Sequence, residues 1–128
     1  MPNVIESTQL AADMDAALSR MLGNVTIYCR VVKVFFNAWP EHKQLLEEAW
    51  QAGHRERCVS ILHKLAGGAK SIAAIQLAGA LSSLELQLAN NACEFPDIHL
   101  LDEIDALAQA TYDAINRQLD CNEENFTG

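Results

Sequence analysis

The stretch Cys58-Val59-Ser60-Ile61-Leu62-His63-Lys64-Leu65-Ala66-Gly67-Gly68-Ala69-Lys70-Ser71-Ile72 decides how the rest of the chain reads. At about 100° per residue, Leu62, Leu65, Ala69 and Ile72 fall within about 40° of Cys58, which makes a core face. His63, Gly67 and Lys70 fall about 120° to 180° round from Cys58, stacked a turn apart on the opposite face. Two consecutive glycines inside a helix cost about 1 kcal/mol each relative to alanine, although alanines on both sides show that better helix formers are in use. A glycine one turn beyond an exposed histidine removes the side chain that leans over the ring, so one imidazole edge stays open to a large partner. A free imidazole, with a pKa of ~6.5, is mostly neutral at pH 7 and attacks without a helper base. That chemistry suits a phosphoryl group arriving from outside.

Outward from this helix the same periodicity continues, and three prolines and six glycines are its main interruptions. The pattern predicts a first helix from Ser7, as N-cap, to Leu22, stopped by Gly23-Asn24. A second runs from Val25 to Gln51 with Tyr28, Val32, Phe35, Trp39, Leu46 and Trp50 on one side, and Pro40 is expected to kink or break it. The histidine helix follows Gly53. A fourth spans Ala74 to Asn90, Asn90-Asn91 and Phe95-Pro96 mark the next connection, and a fifth spans Pro96 to Leu119. The tail from Cys121 to Gly128 is polar and expected to fray. Short links between long amphipathic helices favour antiparallel neighbours, so the fold class is all-α: an antiparallel up-down four-helix bundle with an additional N-terminal helix as flap or cap. It is one domain over residues 1–128, with its core at about 7–120.

The chain has 128 residues, half of them apolar, which is enough to fold without a disulfide or structural metal. Its 9 basic and 17 acidic residues give a net charge of −8, and nucleic-acid affinity rests on many Lys and Arg. No nucleic acid is expected as partner. No basic and apolar leader opens the chain and no apolar run approaches the ~20 residues of a membrane span, so the reading is no membrane and a cytoplasmic location. The initial Met and polar tail point to a free-standing chain. Cys29, Cys58, Cys93 and Cys121 form no CxxC pair and are expected to be buried, reduced thiols. A di-iron bundle needs Glu-x-x-His, whereas Trp39, Gln51, Ser60 and Pro96 stand three residues before the four histidines. No metal site is expected.

The run from His63 to Ala74, followed by Leu77 and Leu84-Glu85, resembles the motif of the histidine-containing phosphotransfer (HPt) domain. Upstream, Leu18 to Gly23, Phe35-Phe36, Pro40, Leu46, Ala49 and Gly53 match the family's helices before the histidine, and the likeness covers about Met14 to Leu119. The chain departs from the pattern twice: Ala66 stands where the family usually has lysine, and Ala73 where it favours glycine. The first departure concerns how phosphoryl charge is held; the second, where the turn after the histidine helix lies.

The resemblance implies a phosphorelay intermediate that is a covalent carrier rather than an enzyme. His63 takes a phosphoryl group from a receiver-domain aspartyl phosphate and passes it to a response-regulator aspartate. The partners implied are receiver domains of response regulators and hybrid sensor kinases, the chain itself a monomer without cofactor, and Mg²⁺ is supplied by the receiver. Lys70, with Lys64, is expected to stand in for the lysine absent at Ala66; Gly67 keeps the ring open, and Val59 and Ala66 flank His63 as partner contacts. Two other functions remain open at this point: a non-catalytic helical adaptor for receiver domains, which has no need of an uncovered imidazole, and a kinase-linked phosphoacceptor domain.

Among the other residues, His42, His54 and His99 are given no role. Asp102, Glu103, Asp105 and Glu123-Glu124 read as solvated surface, and Glu85 as satisfying a local donor. The apolar excess of the second helix at Ile27, Val31, Val34 and Phe36 reads either as broad core contact or as a docking patch beside the histidine.

Overall fold

The computed structural model describes residues 5–90 and 95–119. The expected tail, Cys93, Cys121 and Glu123-Glu124 lie outside the described residues. Five helices follow one another: α1 (Ser7–Arg20), α2 (Val25–Gln51), α3 (Arg55–Ser71), α4 (Ile75–Ala89) and α5 (His99–Leu119). Among the described residues there is no strand. The α2 to α5 helices close a four-membered ring in which α3 and α4 are the most tightly packed neighbours. The α1 helix lies against α2 and α5 as the additional element.

Local chemistry accounts for the ends. The Asn24 side chain accepts a hydrogen bond from the Ile27 amide at 3.0 Å and starts α2. Ser7 is the first helical residue of α1 instead of its N-cap, a position taken by Glu6 without a side-chain cap. The α1 helix also stops two residues short of Leu22, because Leu22 and Gly23 turn the chain with φ of +57° and +73°. Gly53 makes the next turn at φ +72°, while α3 gives way to α4 at Ala73, φ +65°, in the left-handed region that costs a residue with a Cβ about 1–2 kcal/mol. Ala73 is therefore strained at the position where the motif favours glycine. The α5 helix begins at His99, three residues later than expected from Pro96.

Pro40 does not break α2, which is continuous through it. The residue is exposed, so the carbonyl its missing N–H deprives lies on the side where water can serve it.

Large side chains lock the ring. Tyr28 is fully buried and its hydroxyl donates to the Ile72 carbonyl at 2.6 Å, fastening the start of α2 to the end of α3. Burial pushes the Tyr28 phenol upward, so it stays a neutral donor. Trp39 Nε1 donates to Asp105 at 2.7 Å, and Lys43 Nζ lies 3.6 Å from both Asp102 and Asp105. These two acids, expected to be merely solvated, tie α5 to α2. Cys58 is buried and free, with its thiol pushed up by burial, whereas Cys29 is buried and disulfide-bonded, which corrects the expectation of reduced thiols there.

Candidate functional site

The α3 helix packs its Cys58, Leu62, Leu65 and Ala69 stripe inward, as the spacing predicts, and this sends His63 outward with its side chain 79 % exposed. The hairpin turn at Ala73 sets the register with α4. Residues running back along α3 meet residues running forward along α4, and His63 meets Glu85. Its Nδ1 lies 3.0 Å from Glu85 Oε2. The Glu85 side chain is only 21 % exposed, so it is a fixed partner rather than a roaming surface charge.

An ionised carboxylate can only accept, which puts the imidazole proton on Nδ1 and the lone pair on Nε2. Nε2 has no hydrogen-bond partner among the described residues. In a singly protonated ring this arrangement leaves Nε2 as the nucleophilic nitrogen and holds Nδ1 against the Glu85 side chain. As a group bonds to Nε2 the ring becomes cationic, and the carboxylate 3.0 Å behind it stabilises that charge.

The two glycines have separate reasons. A Cβ at Gly67 meets nothing within 4 Å, so this position is open space beside the ring. A Cβ at Gly68 stands 2.9 Å from both Cδ1 and Cε1 of Phe35, so this glycine lets α2 and α3 approach. Only the first belongs to access; the second belongs to packing.

The remaining predicted residues divide. Lys64 and Lys70 are exposed, Lys70 on the α4 side of the helix with His63 and Lys64 towards α2. Val59 is half-buried beside Leu88 and Ala89. Ala66 is 3 % exposed, which corrects its expected role as a partner contact. Because α4 covers α3 on that flank, the buried face of α3 is wider than the four-residue stripe implied. Sequence reasoning missed the pairing of Glu85 with His63, although the signal was present: a turn at residues 72–74 folds two antiparallel helices so that 63 and 85 stand level.

A family model described as the Hpt domain matches residues 30–110, more than half of the chain. No curated protein and no solved structure matches.

Proposed function

The chain belongs to the Hpt domain family, whose members carry phosphoryl groups in phosphorelays rather than act as classical enzymes, and we propose that in this chain the phosphoryl carrier atom is His63 Nε2. The observation that carries the reading is the exposed imidazole held through Nδ1 by Glu85, with open space at Gly67.

In the forward step the Nε2 lone pair attacks the phosphorus of a receiver's aspartyl phosphate. The P–N bond forms, the P–O bond to the aspartate breaks, and the aspartate leaves as a carboxylate. No proton is transferred, since Nδ1 keeps its own and the positive ring faces Glu85. In the second step the carboxylate of a response-regulator aspartate attacks the same phosphorus, the P–N bond breaks and the lone pair returns to Nε2. Mg²⁺ and the acidic pocket belong to the receiver in this reading, and Lys70 and Lys64 supply positive charge near the transferred group. No described helix is long and apolar enough to cross a membrane.

Incubation with a panel of phosphorylated receiver domains tests the proposal. Label that is stable in alkali and lost in acid identifies phosphohistidine and a carrier; receiver binding without any label identifies an adaptor.

A further inference from the structure

The α4 helix is almost free of charge. In a chain with 9 basic and 17 acidic residues, the stretch Ile75–Ala89 holds a single charged residue, Glu85, and that one is turned to His63 at the α3 edge. Leu77, Ala78, Leu81, Leu84 and Leu88 fill the core side of the helix. The opposite side presents Ile75, Gly79, Ser83 and Leu86, at positions i, i+4, i+8 and i+11 of one face, all open to solvent. Leu86 is 73 % exposed and Ile75 46 %. The bundle does not need Leu86.

This face carries its own complement. Leu86 is a knob and Gly79 a hole, where even a Cβ meets nothing within 4 Å. Seven residues separate them, about 10.5 Å along the axis and only about 20° round it. A two-fold axis passing between Ser82 and Ser83 therefore lays α4 of one copy antiparallel on α4 of another, with Leu86 of each copy over Gly79 of the other. The serines at the centre are small enough for the two helices to approach to about 8 Å. Beside Ser83 a groove of about 210 Å³ opens between α4 and α5, walled by Ala80, Leu100, Ile104 and Leu107 with Glu103 as its one charged residue. The apolar surface on this side is thus wider than one helix.

We propose that this face docks a second copy of the chain through an antiparallel α4 pair. Two features select a copy over an unlike partner. Knob and hole share one face at a spacing that a two-fold satisfies twice, and a chain of net −8 repels its copy wherever acid meets acid, whereas this stripe sets no charge against itself. A copy docked here departs from the single-copy state that the family resemblance implies. Glu85 lies about 100° round the helix from Leu86, so His63 stays on a different edge from the contact. One helix face with its bordering groove falls short of the ~800 Å² per partner of a standard complex, and the pair is accordingly weak.

Sedimentation equilibrium of the full chain, over about 10 µM to 1 mM, suits a contact of this size. The mean mass is expected to rise from 14.1 kDa toward twice that value across the range. Leu86→Ala removes the knob and Gly79→Leu fills the hole, and each weakens pairing about tenfold or more. The double variant, Gly79→Leu with Leu86→Ala, exchanges knob and hole. Because the two-fold sets these positions against each other, it recovers pairing to within about threefold of the parent chain, and all three variants keep their helical signal since both positions are exposed. Val34→Asp on α2 and His63→Gln leave the mass curve unchanged, so the result is independent of the phosphoacceptor reading. A mass of 14.1 kDa at every concentration, a double variant no better than the single ones, or loss of pairing in Val34→Asp overturns the proposal.

Discussion

His63 and Glu85 stand 22 positions apart in sequence and 3.0 Å apart in space, and their contact joins α3 to α4 beside an exposed imidazole ring. Glu85 fixes which ring nitrogen is reactive. In Glu85→Ala the proton on Nδ1 loses its acceptor, and phosphoryl acceptance is expected to fall by about 10-fold or more, the scale seen when the partner that orients a metal-ligating histidine is removed. Imidazole ¹⁵N shifts check the cause: protonated Nδ1 in the parent chain, a mixture of tautomers in the variant. An unchanged tautomer with a slowed transfer assigns Glu85 to partner contact instead.

Gly67 and Gly68 predict opposite outcomes. Replacing Gly67 by Leu fills open space beside the ring, so it raises helix stability by up to about 1 kcal/mol while blocking transfer. Replacing Gly68 by Ala drives a methyl to 2.9 Å from the Phe35 ring, itself packed edge-on against Phe36 and tilted against Trp39, and is expected to cost about 1 kcal/mol despite better propensity. Chemical denaturation and transfer kinetics on both variants separate access from packing.

Leu22 combines 95 % exposure with φ +57°. Leu22→Asn keeps the turn, relieves a conformation that a leucine adopts reluctantly, and loses no buried area. The expected gain is about 0.5–1 kcal/mol, read as a higher melting midpoint. A fall in stability shows that the exposed leucine side chain packs in solution.

Lys70→Ala is expected to slow transfer from a phosphorylated receiver more than Arg30→Ala does at low salt, and the difference shrinks as salt screens it. Both residues are exposed, so stability should not separate them. Equal rates for the two variants at low ionic strength show that the site works without Lys70.

The bundle was legible because periodicity is written into every long segment: the limits of α2 agree at both ends, and Cys58, Leu62, Leu65, Ala69 and Ile72 of the expected α3 stripe are all buried. What was not legible depended on the third dimension. Ala66 lies only 80° or so from Cys58 on a helical wheel, and a wheel does not show that α4 extends the buried face over it. Pro40 reads as a breaker until its exposure is known. Glu85 needed the turn at Ala73, where an alanine occupies a left-handed conformation that its side chain gives no reason to expect. The open space at Gly67 was predicted from the histidine beside it, whereas the contact behind Gly68 involves Phe35, which is 33 positions away.

On the proposed reading His63 carries the phosphoryl group, and the bundle stands without its side chain. The most direct measurement follows transfer of label from a phosphorylated receiver to the parent chain and to His63→Gln, with thermal unfolding recorded on both. Acid-labile label is expected on the parent chain and none on the variant, with melting midpoints that agree within about 2 °C, since the side chain is exposed. Label of equal intensity on His63→Gln, or loss of its folded state, would contradict it.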